Sequence, residues 1–205
     1  MRKVVFAIAM LSAAATAGPS SAEIVLSGTQ FFQNFDDVGS GLANGVTVNA
    51  GATASSLGTA ATLNTTATTW GTSTGQFANY ASVTGLTSSA LTSAQTAATD
   101  RALGVRQTGT FGDPGAAFEF QIHHTLGFKD FTLSFQSEMA SVQGRSTTWN
   151  VKWALDSLPT SFNLLGQITD PGTFGEAPNS YTLPVAVNDQ ALTLWLRVAA
   201  LSTAS

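Results

Sequence analysis

The segment Phe118-Glu-Phe-Gln-Ile122 decides the fold class, because apolar and polar residues alternate along it one by one. The aromatic and aliphatic residues take one face, while Glu119 and Gln121 take the other. Successive side chains of a β-strand point to opposite faces, so this pattern predicts a strand with one buried face.

The same alternation recurs along the rest of the C-terminal half. The further segments are 102–107, 131–135, 149–155, 181–187 and 192–198. Turn sequences separate them, such as Asp113-Pro-Gly115 and Asp170-Pro-Gly172, in which the glycine accepts the positive φ of a type II turn. Many alternating strands with such turns predict an all-β fold, an antiparallel β-sandwich or jelly roll.

The preceding half has a different composition, because residues 38–99 contain no Asp, Glu, Lys, Arg or His. Thr, Ser, Ala, Gly and Asn fill this stretch, yet Trp70, Phe77 and Tyr80 interrupt it, which is atypical of disorder. We expect short strands, long loops and one short helix within residues 88–100.

The N-terminus has the pattern of an export signal. Met1-Arg-Lys3 is basic, and residues 4–17 are apolar or small. Ala15-Thr-Ala17 and Ser20-Ser-Ala22 both fit the small-x-small cleavage rule, and we prefer the second because Pro19 lies just past the first. The pattern predicts a signal-peptide helix in residues 1–22 and one β-sandwich domain in residues 23–205. We therefore expect a secreted or cell-surface bacterial protein whose mature chain has no membrane span.

Composition excludes several classes of function. The chain of 205 residues has no cysteine, which excludes a disulfide scaffold, a cysteine zinc site, a thiol enzyme and an iron–sulfur protein. Eight basic residues against twelve acidic ones also argue against a nucleic-acid partner. Only 10% of the residues are charged, against about 25% in an ordinary domain, so acid–base equipment is scarce.

Two tryptophans and one arginine are candidate ligand-binding residues. Trp195 and Arg197 lie on the face opposite Leu194 and Leu196 if the alternation holds, and Trp70 lies in the Thr-rich stretch. Exposed aromatic rings can stack on sugars, so these residues form a candidate saccharide platform. The alternative is that each tryptophan packs under a loop.

Asp36 and Asp37 are the candidate metal ligands. They stand beside Gly39-Ser-Gly41, and calcium prefers several oxygen ligands, so they are a candidate structural calcium site. The alternative is a pair of solvated loop acids, and no other cofactor is expected.

Enzymatic readings have weaker support. Gly71-Thr-Ser-Thr-Gly75 matches the nucleophile-elbow pattern around Ser73, but an elbow needs a parallel sheet with crossover helices, which the sequence does not predict. Its triad partners would come from Asp100, Asp113, His123 and His124, and a glycosidase pair would come from Glu119, Asp130 and Glu138. These acids are not clustered in sequence, and adjacent strand histidines point to opposite faces, which disfavours a shared metal.

Four blocks together carry a family resemblance. They are 99–118, Phe131-Thr-Leu-Ser-Phe135, Arg145-Ser-Thr-Thr-Trp-Asn-Val-Lys-Trp153 and Leu194-Trp-Leu-Arg-Val198. The chain resembles an extracellular β-sandwich module of bacterial secreted and surface proteins, of the kind that carry PEP-CTERM or type IX sorting tails. The resemblance implies a further C-terminal strand and a sorting tail. Neither is present here, so we expect a truncated chain.

The sequence as a whole favours a secreted, non-catalytic interaction module for polysaccharide or extracellular matrix. A carbohydrate-active or serine hydrolase, and a structural surface-layer or biofilm component, remain the alternatives.

Overall fold

The computed structural model describes residues 6–9, 23–28, 30–142, 146–170 and 172–205. Within the predicted signal peptide, Phe6–Ala9 forms a strand where we expected a helix, and the rest of residues 1–22 lies outside the described residues. The division at residue 22 stays a prediction.

The secondary structure is almost entirely β. The strands are β1 (Phe6–Ala9), β2 (Gln30–Gln33), β3 (Val46–Ala50), β4 (Thr59–Ala60), β5 (Leu63–Thr68), β6 (Gln76–Ala81), β7 (Arg101–Arg106), β8 (Ala117–Ile122), β9 (Thr132–Met139), β10 (Thr148–Leu155), β11 (Asn163–Thr169), β12 (Gly175–Thr182) and β13 (Leu194–Ala200). One α-helix, α1 (Thr92–Ala97), lies within the predicted helical range, and Val38–Ser40 and Val185–Val187 form 3-10 turns.

Three sheets share one core. A six-stranded sheet has the order β11-β10-β13-β8-β3-β4, a four-stranded sheet has the order β12-β9-β1-β2, and a three-stranded sheet has the order β5-β6-β7. Side chains from all three meet in a single apolar cluster, with Phe118 from β8, Leu133 from β9 and Phe77 from β6. The predicted all-β sandwich of antiparallel sheets is confirmed.

The alternating segments occupy the strands predicted for them, with one exception. Strand β12 ends at Thr182 and Leu183 makes one further backbone bond to Phe131, but residues 185–187 turn away as a 3-10 turn. Pro184 intervenes, and its missing N–H and fixed φ prevent the ladder from continuing.

Two features were not predicted. The β5–β6 pair is parallel, unlike every other pair of named strands. Strand β11 has no clear alternation, because it lies at the sheet edge and most of its side chains are exposed or half-buried. No helix in the described ranges has the length and apolar character that crossing a bilayer requires.

Candidate functional site

An open cleft of about 360 Å³ lies beside β2, and we call it the Phe32 cleft. Its walls come from residues 23–25, from β2 and from Ala43 and Asn44, which precede β3. Phe31 and Phe32 supply aromatic surface, while Glu23, Gln33 and Asn44 supply a carboxylate and two amides. The cleft therefore combines aromatic surface with a few polar groups, the composition typical of small-ligand sites.

The two phenylalanines of β2 lie on opposite faces of the strand. Phe31 is half-buried and packs against the core, whereas Phe32 is 64% exposed. Neighbouring strand residues point to opposite faces, so anchoring Phe31 in the core presents Phe32 to solvent. Phe32 therefore has an aromatic ring free to contact a ligand.

Glu23 joins the cleft to the end of β8. Its Oε2 lies 2.6 Å from Nδ1 of His123, and its Oε1 accepts a hydrogen bond of 3.1 Å from the Thr193 hydroxyl. Next to it, Ile24 donates its backbone N–H to Gln121 and accepts from His123, which fixes the segment along β8. The carboxylate at the cleft is thus held in a defined position.

The two adjacent histidines lie together at this end of the sheet. Their ring centroids are 4.8 Å apart, and His123 is exposed while His124 is half-buried. The described residues contain no group of three His, Cys, Asp or Glu arranged to hold a metal ion.

Trp70 is placed inside the protein. It is 3% exposed, its indole N–H donates to the Ala81 carbonyl at 2.9 Å, and its ring lies 5.4 Å from Phe174. A buried ring offers no open face, so the structure does not provide the saccharide platform expected at Trp70.

Trp195 and Arg197 lie on the predicted face of β13 but not at the surface. Leu194 and Leu196 point into the core, as the alternation requires, while Trp195 is 6% exposed and Arg197 is 0% exposed. The Trp195 indole donates to the Asp156 carbonyl at 2.9 Å. A second layer of chain covers this face, so neither residue is open to a ligand.

Arg197 is the centre of a charge cluster that consists of Glu119, Lys152 and Arg197, in which Glu119 and Arg197 are buried and Lys152 is half-buried. Its guanidinium donates to the Thr53 carbonyl at 3.0 Å and the Ser56 carbonyl at 2.9 Å, and it stacks 3.8 Å from the Phe162 ring. These contacts of Arg197 therefore hold residues 53–56 and Phe162 against the outer face of the six-stranded sheet.

The cluster follows one cross-strand row. Lys152 on β10 pairs with Arg197 on β13, and Arg197 pairs with Glu119 on β8. One carboxylate oxygen of Glu119 lies 4.0 Å from the guanidinium, and the other accepts a hydrogen bond from the Asn49 amide. The row carries three ionisable groups across the covered face of the sheet.

Burial dominates the electrostatics of this row. It raises the pKa of Glu119 to about 7, against the opposing effects of Arg197 and Asn49. It also lowers the pKa of Arg197, which Glu119 partly offsets, and lowers the pKa of Lys152, where the nearby Arg197 adds to the effect. Taking a charge out of water disfavours its ionised form, which accounts for all three directions.

The two candidate calcium ligands differ in their surroundings. Both carboxylate oxygens of Asp36 already accept hydrogen bonds, one from the Arg101 backbone N–H at 2.9 Å and one from the Asn34 amide. Asp37 is exposed and precedes the 3-10 turn at Val38–Ser40. Asp36 therefore acts as a connection between the start of β7 and the loop after β2.

This geometry predicts that calcium leaves thermal stability unchanged. Each oxygen of Asp36 already accepts one internal hydrogen bond, so a calcium ion would have to share both oxygens with the Arg101 N–H and the Asn34 amide, which limits the gain from coordination. We expect the same Tm by differential scanning calorimetry with added calcium and with a chelator. A higher Tm in calcium that Asp37→Asn abolishes would contradict the expectation.

The groups expected for a serine hydrolase are not arranged as one. Ser73 is exposed in the loop that leads directly into β6, whereas an elbow places the serine between a strand and a helix. Asp113 accepts the Ala204 backbone N–H at 2.7 Å, and Nδ1 of His123 faces Glu23. Residues 71–75 therefore lie in a loop between two strands, without the strand–turn–helix setting that a nucleophile elbow needs.

The strand carboxylates expected for a glycosidase point apart. Glu119 lies on the outer face of the six-stranded sheet, and Glu138 lies on the outer face of β9 in the opposite sheet. There Glu138 accepts from the Ser82 hydroxyl at 2.9 Å and the Val83 N–H at 3.1 Å. Asp130 is exposed in a turn before β9, so these acids do not flank a common site.

The cleft was not predicted from the sequence. The aromatic run Phe31-Phe32 was visible, but nothing in its spacing from Glu23 or Asn44 showed that the three lie together. Comparison with known proteins found no matching family model, no matching curated protein and no similar solved structure.

Proposed function

We propose that this protein is an exported, non-catalytic module that binds a neutral polysaccharide in the Phe32 cleft. The observation that carries the proposal is the exposed ring of Phe32 beside the Glu23, Gln33 and Asn44 side chains in one cleft. Sugar rings present apolar C–H faces and hydroxyl edges, so an aromatic ring with nearby amide and carboxylate groups complements both.

Charge favours a neutral ligand. The chain has a formal net charge of −4, and Glu23 adds a carboxylate inside the cleft. An acidic polysaccharide would meet repulsion from both, while neutral sugar hydroxyls can donate to the carboxylate and exchange hydrogen bonds with the amides.

The cleft is also suitable in size and setting. Its volume of about 360 Å³ lies within the range of roughly 300–1,000 Å³ that is typical of ligand sites. Ala43 and Asn44 belong to the uncharged stretch of residues 38–99, so this wall adds no ionisable group to the cleft.

Phe32→Ala is expected to weaken polysaccharide binding about tenfold, which corresponds to about 1.4 kcal/mol. The substitution removes the stacking ring. Because Phe32 is mostly exposed in the native protein, its loss should leave Tm unchanged. Affinity gel electrophoresis against a panel of neutral polysaccharides measures the effect as a loss of retardation.

Leu158→Ala is the matched control, because Leu158 is also an exposed apolar residue but does not line the cleft. The control should be retarded like the native protein. The proposal fails if no neutral polysaccharide retards the native protein, or if both variants behave alike.

A further inference from the structure

Residues 51–58 form the loop of the β3–β4 hairpin and fold back over the outer face of the six-stranded sheet, and we call them the flap. The β3–β4 ladder is only two residue pairs long, so it anchors the flap weakly. Gly51 and Gly58 stand at the two ends of the flap with φ values of 70° and 87°, which glycine adopts at little cost. The flap therefore has a flexible residue at each end.

Few contacts hold the flap against the sheet. At its base, Ala52 is buried in a small apolar cluster with Ala117 of β8 and Ala199 of β13. At its tip, residues 53–56 are exposed to solvent, and two of their carbonyls accept the hydrogen bonds of Arg197 described above. Arg197 is thus the side chain that ties the tip of the flap to the sheet.

Arg197 also lies beside a second partner to which it makes no hydrogen bond. Its Nε and the Oε1 of Glu119 are both buried, and neither forms a hydrogen bond with any residue in the described ranges. The Arg197 Nη1 lies 4.0 Å from that oxygen, which is too far for a hydrogen bond. A short movement of the guanidinium would pair the unused donor with the unused acceptor. The same side chain therefore has two alternative partners, the flap carbonyls and the Glu119 carboxyl.

We infer that the flap is a pH-sensitive cover, which Arg197 holds closed while Glu119 is protonated and releases when Glu119 ionises. An ionised carboxylate attracts the guanidinium with a full charge, whereas a carbonyl offers only a dipole, so ionisation draws Arg197 from the flap towards Glu119. A buried carboxylate is also stabilised when water reaches it, and lifting the flap admits that water. Both effects favour the open flap.

The charges around Glu119 set the pH interval of this change. Burial raises the pKa of Glu119 from 4.5 to about 7 in the closed protein, against the opposing effects of Arg197 on β13 and the neutral Asn49 on β3. Lys152 on β10 lies one strand further along the same row. Neither the flap nor residues 157–162 contain an ionisable side chain. Opening should therefore be rarest below pH 4.5 and increase as pH rises to about 7.

A thiol placed under the flap can report its opening, because the full chain has no cysteine of its own. Ala199→Cys puts this thiol in the cluster beneath Ala52, at a position that is 0% exposed. A buried thiol reacts only when it is uncovered, so its rate of labelling by 4,4′-dithiodipyridine measures openings that are populated only part of the time. Each rate is divided by the rate in urea at the same pH, which removes the pH dependence of the reagent. Ala117→Cys is the second position if circular dichroism shows that Ala199→Cys does not fold.

The comparison is between Ala199→Cys alone and Ala199→Cys combined with Glu119→Gln, which stays uncharged. At pH 8 the protein with Glu119 should be labelled at least about tenfold faster, up to a limit of about 300-fold that the pKa values of 4.5 and about 7 set. At pH 4.5 the difference should fall to about twofold, because the closed protein then holds the proton.

Ala154→Cys is the matched control. Ala154 is 4% exposed on β10 and lies beside Trp195 on the same face of the sheet, but it is not part of the cluster under Ala52. Unfolding of the whole protein exposes both thiols together, whereas opening of the flap exposes the thiol of Ala199→Cys alone. Equal labelling of Ala199→Cys and Ala154→Cys at pH 8 would overturn the inference. A labelling rate of Ala199→Cys that Glu119→Gln leaves unchanged at pH 8 would overturn it as well.

Discussion

Arg197→Ala is expected to lower the free energy of unfolding by about 3–5 kcal/mol, measured by urea denaturation at pH 8. The guanidinium is completely buried between the Thr53 and Ser56 carbonyls, the Phe162 ring and the Glu119 carboxylate. Its removal leaves the carboxylate buried without a cation, two carbonyls without donors and a space that the loop cannot easily fill.

Two further variants separate these causes. Arg197→Lys keeps the positive charge but cannot hold two carbonyls in a planar fork, so its loss should be smaller than that of alanine. Lys152→Ala removes a half-buried cation from the same cross-strand row and should cost less than about 1 kcal/mol. A loss below about 1 kcal/mol for Arg197→Ala itself would contradict the role assigned to the cluster.

Glu119 should make the protein less stable as pH rises from 4.5 to about 7. Its ordinary pKa of 4.5 is raised to about 7 in the folded protein, chiefly by burial. Between these values the folded state holds a proton that the unfolded state has lost. The stabilising contribution is therefore complete below pH 4.5, falls as pH rises and is lost above about 7.

The size of this effect follows from the shift. Each pKa unit corresponds to about 1.4 kcal/mol, so Glu119 contributes a change of about 3 kcal/mol across the interval. Glu119→Gln should remove this part of the pH dependence, because the amide has the same shape and does not ionise. Urea denaturation of both proteins at intervals from pH 4 to pH 8.5 measures the difference.

Glu176→Gln is the control for this titration, since Glu176 is exposed and lies on β12 in the opposite sheet. It should keep the pH dependence of the native protein. If Glu119→Gln also keeps it, the carboxyl of Glu119 titrates near its ordinary pKa and the cluster is more hydrated than its burial indicates.

The strands could be predicted well wherever one face is buried. Phe118, Phe120 and Ile122 lie in the core, and the same holds for Leu194, Leu196 and Val198 on β13. Period-two alternation shows which residues are buried away from water, and the free energy of that burial is the dominant favourable contribution to folding. Strand β11 escaped prediction because an exposed edge strand has no such constraint.

The candidate site was harder to predict, for a different reason. The alternation correctly assigned Trp195 and Arg197 to the face away from the core, but exposure did not follow from that assignment. Residues 53–56 and Phe162 cover the face, and residues 53–56 reach it through contacts more than a hundred residues apart in sequence, such as Arg197 to Ser56. Local pattern contains no information about such a second layer.

By itself, the sequence determined the all-β class, the positions of β7, β8, β9, β10 and β13, and the short helix, because a strand with one buried face alternates apolar and polar residues along the chain. Only the tertiary structure decided which polar residues are accessible. It buried Trp70 and Arg197, raised the pKa of Glu119 and brought Glu23 and Phe32 into one cleft. Exposure and pKa depend on what packs over a residue, and that neighbour is chosen by long-range topology rather than by adjacent sequence.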